Sequence, residues 1–269
     1  MEEFSIYTVF NQPKAGLLGN TAAVVYQEIM PSGDYMQRLA ADLNQPATTF
    51  IAPAGDDVHY LVRWFAPDAE IGLCGHGTLA AIAHLANDTS TTVRLIAGEQ
   101  KLYGQITAES QAVMELDSIL VSGQTDAPDG LQEALGKQIV GYFPTPNKDI
   151  VLLETEEDVF NMEPDFAALR QIKVFGYAVT APGNVADFVS RTLVPHVQQL
   201  EDHATGSSHA ALAPFWAERL GKTELKAVQL SPRGGYFKCQ VQSNTTRLQG
   251  YFQKIATGKL TVSEVANVG

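Results

Sequence analysis

The sequence predicts an α+β protein made of two related domains, each a mostly antiparallel sheet wrapped on one long helix. Three observations carry this. A turn-and-helix pattern occurs twice, as Leu73-Cys74-Gly75-His76-Gly77-Thr78-Leu79-Ala80-Ala81 and as Glu201-Asp202-His203-Ala204-Thr205-Gly206-Ser207-Ser208-His209-Ala210-Ala211. Strand-like segments outnumber helical ones, and most linkers are too short for crossovers, which favours antiparallel pairing. The chain, at 269 residues, is long enough for two domains of ordinary size.

The repetition extends upstream of both turns. Arg63-Trp64-Phe65-Ala66-Pro67 precedes the first and Arg191-Thr192-Leu193-Val194-Pro195 the second. Gly19-Asn20-Thr21-Ala22-Ala23-Val24-Val25 has an echo in Gly183-Asn184-Val185-Ala186-Asp187-Phe188-Val189. Three matches in one order indicate an internal duplication, and their unequal spacing excludes a solenoid of fixed period.

Taken in order, Ser5 to Phe10 alternates and is rich in strand formers, so it opens a sheet. Ala22 to Tyr26 is a short apolar strand. Ser32-Gly33-Asp34 caps a helix from Tyr35 to Leu43, with Met36, Leu39, Ala40 and Leu43 on one face, and Gln45-Pro46 ends it. Thr48 to Ala52 and Val58 to Phe65 are strands. After the first turn and its helix come strands at Thr91 to Ile96, Tyr103 to Ala108 and Gln111 to Leu116. Ser, Gly, Asp and Pro accumulate near Asp117 to Asp129 and mark a boundary between a first domain, 1–118, and a second, 119–257. Gly130 to Leu135 and Asp165 to Ile172 are helical. Gln138 to Phe143, Lys148 to Glu154, Val174 to Thr180 and Asp187 to Val194 are extended. The second turn feeds a helix to Leu220, and four strands follow: Lys226 to Leu230, Tyr236 to Gln242, Thr246 to Gln253 and Gly258 to Val265.

Composition narrows the function classes. An apolar share of 45% and a charged share of 18% belong to a soluble globular chain. No apolar run has the length of a membrane span, and the acidic start Met1-Glu2-Glu3 does not resemble a signal peptide. A formal net charge of −12 argues against nucleic acid and anionic membranes as partners. Two cysteines, Cys74 and Cys239, form no disulfide framework, so a reducing cytoplasm is expected. Asn87-Asp88-Thr89 and Asn244-Thr245-Thr246 match a glycosylation sequon, which matters only in a secreted chain.

The turns carry the candidate chemistry. Glycines Gly75, Gly77 and Gly206 let the backbone approach a ligand, and the first amides of each helix suit a carboxylate or phosphate. His76 can move a proton near neutral pH. Asp202 stands beside Glu201, and side-by-side acids in a cleft can push one pKa up and make a proton donor. Thr78, Ser207 and Ser208 offer hydroxyls, and Arg233, on a turn in Ser231-Pro232-Arg233-Gly234-Gly235, is a candidate for a carboxylate or a structural role. His84 and His209 sit on alanine-rich faces and read as packed core histidines. Cys74 lacks a neighbour in sequence that clearly activates it. No metal-ligand spacing occurs, so no metal is expected.

With these residues in view, the chain resembles the PhzF family of phenazine-biosynthesis-like isomerases. The matching stretches are Gly19 to Val24, Arg63 to Pro67, Glu70 to Ala81, Glu201-Asp202 with Thr205 to His209, and Gln229 to Gly235. The resemblance implies the diaminopimelate epimerase-like fold: two pseudo-symmetric domains, each a curved sheet around a central helix, with a site between them. It also implies a C-terminal strand, about 258–269, that returns to the first domain. A homodimer, an enzyme without cofactors and a small carboxylate substrate follow from the same resemblance. Asp202, His76 and Ser207 match the family's catalytic positions. Gly75, Gly77, Thr78, Gly206, Ser208, Asn20 and Arg233 are the expected substrate-binding residues. The chain departs from the pattern in Asn44-Gln45-Pro46-Ala47-Thr48-Thr49-Phe50, where Ala47 holds the position of the family's acid/base glutamate, and His203 stands where proline is usual. Asp202, His76 and His203 are the groups that could take over the proton. The cysteine pair of the related epimerases is also incomplete, because Thr205 is the counterpart of Cys74. The expected function is an isomerase that shifts a proton within a small unsaturated or cyclic carboxylic acid, and the alternative is a catalytically silent protein that binds a small anion.

Overall fold

The computed structural model describes residues 3–56, 58–86 and 88–261. The chain divides into two compact units, one of Met1–Val9, Thr21–Met114 and Tyr251–Gly269, the other of Phe10–Asn20 and Glu115–Gly250. Residues 10–20, expected with the first domain, fall in the second unit. Leu18 and Gly19 donate backbone hydrogen bonds to the carbonyls of Arg233 and Gly234 there, at 2.7 and 2.8 Å.

The elements of the first unit are β1 (Glu3–Asn11), β2 (Asn20–Tyr26), α1 (Gly33–Leu43), β3 (Thr48–Pro53), β4 (His59–Phe65), β5 (Glu70–Ile71), α2 (Gly75–Leu85), β6 (Val93–Ala97), β7 (Gln100–Ile106) and β8 (Gln111–Asp117). They form a sheet in the order β1-β2-β3-β4-β6-β7-β8, with β5 on β4. Ser32 caps α1 by accepting from the Tyr35 amide, and Asn44 closes it in the left-handed region. Tyr35, Met36, Leu39 and Ala40 pack with Val25, Phe50 and Phe65. In α2, Gly75 through Ile82 are all buried, the pattern of a helix enclosed on every side.

The second unit holds α3 (Leu131–Leu135), β9 (Gly141–Phe143), β10 (Asp149–Leu152), α4 (Glu156–Phe160), α5 (Phe166–Leu169), β11 (Tyr177–Pro182), β12 (Phe188–Leu193), β13 (Glu201–Asp202), α6 (Gly206–Leu220), β14 (Glu224–Gln229), β15 (Gly235–Gln242) and the first part of β16 (Thr245–Lys259), whose residues from Tyr251 on belong to the first unit. Its order is β16-β15-β14-β12-β11-β10-β9, with β13 on β12. The buried face of α6 carries Phe215 and Trp216, and Trp216 stacks on Phe188 with ring centroids 5.8 Å apart.

Both sheets are mixed. β2 with β3, β4 with β6, β10 with β11 and β12 with β14 pair in parallel. Each parallel pair is bridged by a segment containing a helix, so those segments are crossovers. Antiparallel pairs still outnumber them, through β3–β4, β4–β5, β6–β7, β9–β10, β11–β12, β12–β13, β14–β15 and β15–β16, so the sheets are mostly antiparallel as expected. The supposed echo of Gly19 to Val25 is also misplaced. Gly183 to Asp187 is the turn between antiparallel β11 and β12, and the counterpart of β2 is β10. Asp165 to Ile172 is helical only over α5, and a separate helix, α4, starts at Thr155, whose hydroxyl accepts from the Asp158 amide. The strand expected from Thr246 to Gln253 runs on to Lys259 as β16, and Leu260 and Thr261 beyond it are not in a strand. Met1-Glu2, Asn87 and residues 262–269, including the end of the strand expected from Gly258 to Val265, lie outside the described residues.

Candidate active site

Strand registers align the two copies residue by residue. Trp64 pairs with Ile71 and Phe65 with Glu70; Thr192 pairs with Asp202 and Leu193 with Glu201. Glu70 therefore corresponds to Glu201, Ile71 to Asp202, Cys74 to Thr205, His76 to Ser207, Gly77 to Ser208 and Thr78 to His209.

Glu201 is not a partner acid for Asp202. Alternation along β13 sends its side chain to the Arg191 guanidinium, whose Nε and Nη2 donate to Oε1 and Oε2, each at 2.8 Å. Arg63 holds Glu70 the same way in the first copy, at 2.7 Å on both oxygens. The acidic pair read from the sequence is thus one structural ion pair and one separate carboxylate.

Asp202 is half-buried and fixed from two sides. Asn20 Nδ2 donates to Asp202 Oδ1 at 2.6 Å, and Gln229 Nε2 donates to the Asp202 carbonyl. Gln229 also accepts from the Thr205 amide at 2.9 Å and donates to Thr205 Oγ1 at 3.1 Å, so one buried amide spans the turn from Asp202 to the start of α6. Arg233 Nε donates to the Gly19 carbonyl at 2.8 Å, bracing the residue before Asn20. Ser231 Oγ donates to the His203 carbonyl at 2.6 Å. The His203 ring has a buried Nδ1 without a hydrogen-bond partner. Burial holds its pKa below the ordinary value, and Asp202 pulls against that shift.

Thr205, the N-cap of α6, makes no side-chain capping bond, so the first amides of the helix keep their donors. Ser207 and Ser208 are buried on that first turn, with exposures of 4% and 1%. Thr192 Oγ1 donates to Ser208 Oγ at 3.0 Å, and Lys148 Nζ donates to Ser207 Oγ at 3.1 Å. His209 donates from Nδ1 to the Thr205 carbonyl at 2.8 Å, and complete burial pushes its pKa down to about 4. It is the core histidine expected.

In the first unit, Cys74 caps α2 without a side-chain bond, and His76 is 5% exposed. Cys74 Sγ lies 3.5 Å from His76 Nδ1 and 3.6 Å from Nε2, so the thiol does have an imidazole neighbour that sequence order did not reveal. Thr78 Oγ1 donates to the Cys74 carbonyl at 2.7 Å. Gly77 is required by contact: a Cβ there would stand 2.7 Å from both Thr49 Oγ1 and Trp64 Cδ1. His84 packs against Tyr7, 3.3 Å from its hydroxyl. Ala47 is wholly buried just before β3, and its carbonyl accepts from the Ala23 amide at 2.9 Å. Gln229 and Lys148 were missed by the sequence reading. The Gln229 to Gly235 stretch flagged the first without its role, and only strand register exposes the second. Among the described residues no helix is long and apolar enough to cross a membrane, and no cluster of His, Cys, Asp and Glu could hold a metal ion.

The fold is shared with solved PhzF-family proteins and, more distantly, with a hydroxyproline epimerase. A PhzF-family protein from Enterococcus faecalis superposes with a TM-score of 0.87 at 32% identity, covering 97% of this chain and 99% of that one. A hydroxyproline epimerase from Agrobacterium vitis superposes at 0.66 with 10% identity, over 96% and 91% of the two chains, a likeness of fold alone. An uncharacterised isomerase of Pseudomonas aeruginosa is 35% identical over 262 residues, 96% of this chain and 99% of its own length. The model of the PhzC-PhzF family, phenazine biosynthesis-like proteins, matches residues 9–256, and the chain belongs to that family.

Proposed function

We propose that the protein is a cofactor-independent isomerase that shifts a proton within a small unsaturated or cyclic carboxylic acid, with Asp202 as the acid/base. The supporting observation is the Asp202 carboxylate, held on one oxygen by Asn20 at 2.6 Å beside the uncapped start of α6. A carboxylate fixed through Oδ1 presents Oδ2 to a carbon-bound proton. Gly206, Ser207 and Ser208 bind the substrate's oxygens, and Arg233 with Asn20 sets the position of Asp202. Gly75, His76, Gly77 and Thr78 are assigned the corresponding role at the first turn. Ala47, at the position of the family's glutamate, carries no proton, so Asp202 takes the load. A homodimer in the cytoplasm completes this reading, and the mass of the native particle in solution checks the first of those.

The test is deuterium exchange from solvent into carboxylic acids that raise the thermal midpoint of the protein. Wild type should exchange, and Asp202→Asn should lose about 10²–10⁴-fold of the rate. If wild type binds acids without exchange while Ala47→Glu exchanges them, catalysis left with the glutamate and the protein is a binder of small anions.

A further inference from the structure

We propose that Cys74 is a modification site: its sulfur takes one oxygen from a hydroperoxide, His76 serves as the base, and Thr49 and Trp64 hold the sulfenic acid that forms.

Cys74 is the N-cap of α2, a helix of 11 residues, so its thiol stands at the positive end of the helix dipole. Its Sγ lies 3.5 Å from His76 Nδ1 and 3.6 Å from Nε2, within reach of either ring nitrogen. A helix start and a histidine are two of the neighbours that make a thiol nucleophilic.

The surroundings supply donors for an oxygen on that sulfur. Thr49 and Trp64 are 0% and 1% exposed, and among the described residues neither Thr49 Oγ1 nor Trp64 Nε1 has a hydrogen-bond partner. A methyl placed on Gly77 would meet Thr49 Oγ1 and Trp64 Cδ1, the ring atom bonded to Nε1, at 2.7 Å and Cys74 Sγ at 3.2 Å. Hydroxyl, indole edge and thiol therefore converge on one point beneath the first turn. A buried donor without an acceptor costs free energy, and a sulfenic oxygen among these two relieves both costs.

The second copy supplies one control. Thr205, in place of Cys74, accepts from Gln229 Nε2 at 3.1 Å, and Thr192, in place of Trp64, donates to Ser208 at 3.0 Å. Ala178, in place of Thr49, has no polar side chain. Those positions are already satisfied, whereas the first copy keeps two donors unpaired. Cys239 supplies another. It is 3% exposed against 4% for Cys74, and burial together with the Asp187 charge pushes its thiol far up. Exposure therefore does not separate the two cysteines, and their neighbours do.

The step balances as thiol plus peroxide giving sulfenic acid plus water. The thiol proton passes to a His76 nitrogen, and a sulfur electron pair attacks the near peroxide oxygen. The S–O bond forms as the O–O bond breaks, and the departing hydroxide takes the proton from His76 and leaves as water. Sulfur is oxidised and the peroxide reduced.

The test is a brief exposure of the whole protein to hydrogen peroxide, stopped with catalase and read as oxygen gained at each cysteine by peptide mass spectrometry. Wild type should gain oxygen at Cys74 at least about tenfold faster than at Cys239, the contrast between an activated thiol and an inert one. His76→Gln should slow that gain by about tenfold or more, and His76→Asn gives the same reading should the first variant fail to fold. Thr49→Val and Trp64→Phe each remove one donor. Each should leave the rate of the first oxygen within about twofold but send the sulfenic acid on to sulfinic acid about fivefold faster, the order of one hydrogen bond. Cys239 oxidised as fast as Cys74, or an unchanged rate in a folded His76 variant, overturns the inference. So does a sulfenic acid of wild-type lifetime in both Thr49→Val and Trp64→Phe. None of these readings involves an isomerase substrate, so the isomerase proposal stands or falls separately, by its deuterium exchange.

Discussion

Cys74 and Thr205 begin their helices with nearly the same backbone, φ −120°, ψ 101° and φ −114°, ψ 97°. Four residues on, each helix repeats the same bond, Thr78 to the Cys74 carbonyl in one and His209 to the Thr205 carbonyl in the other, at 2.7 and 2.8 Å. What hangs on those frames differs. Ile71 faces Asp202 in the alignment, His76 faces Ser207, and Gly77 faces Ser208. The register also sets Ala97 against Gln229, since Leu61 pairs with Ile96 as Val189 pairs with Val228. The first copy therefore has Ile71 where Asp202 stands and Ala97 where Gln229 braces it. Duplication preserved the geometry that exposes helix amides, and each copy then acquired its own polar groups on that geometry.

The largest expected contrast is in the two arginine–glutamate pairs. Arg191 and Glu201 have side-chain exposures of 11% and 12%, against 36% and 47% for Arg63 and Glu70. Arg191 also donates to the Met162 carbonyl at 2.6 Å. Arg191→Ala strands a buried carboxylate and a buried carbonyl, and should cost about 3–5 kcal/mol in urea unfolding. Arg63→Ala should cost under about 1 kcal/mol, because water replaces the lost partner. Equal costs would show that the copies share more than their hydrogen-bond pattern.

The second contrast is in acid. Thr78 does not titrate, and His209 does. Burial lowers the folded-state pKa of His209 from 6.5 to about 4, so the unfolded chain takes the proton first. The stability present above pH 6.5 is lost as pH falls from 6.5 towards about 4, by up to about 3 kcal/mol at one pKa unit per 1.36 kcal/mol. His209→Gln should flatten the decline of the thermal midpoint across that window. A variant whose acid limb matches wild type would place the sensitivity elsewhere.

These contrasts divide what sequence can reveal from what it cannot. The two turns were legible because glycine before an alanine-rich apolar run has few other uses, and the arginines before them marked the duplication. Asp202 was legible as a carboxylate at the turn, but its partners were not: Asn20 lies 182 residues away in sequence, and only the fold joins them. Glu201 was misread because adjacent residues on a strand point to opposite faces. The Gly19 to Val25 echo misled because small residues recur in any turn, whereas the true counterpart, Lys148 with β10, shares pairing but almost no composition. The parallel pairs went unread because the helices were counted apart from the linkers that contain them.

The smallest contrast concerns Gly77 and Ser208, and it tests whether the copies are tuned as packing pairs. Thr49 pairs with Trp64 across β3 and β4, and Ala178 pairs with Thr192 across β11 and β12. The bulky pair faces a glycine, and the small pair faces a serine. In Gly77→Ala the new methyl would meet Thr49 Oγ1 and Trp64 Cδ1 at 2.7 Å. Trp64 is 1% exposed and cannot swing into solvent, so the overpacking should cost about 1–3 kcal/mol despite the better helix propensity of alanine. Ser208→Ala removes only the 3.0 Å bond from Thr192 and keeps the volume, for about 1 kcal/mol. Adding Trp64→Val to Gly77→Ala removes Cδ1, the ring atom nearest the methyl, and should recover part of the loss, read as a coupling in a double-mutant cycle of urea unfolding. Zero coupling would mean that the glycine answers to the backbone of the turn and not to the tryptophan above it.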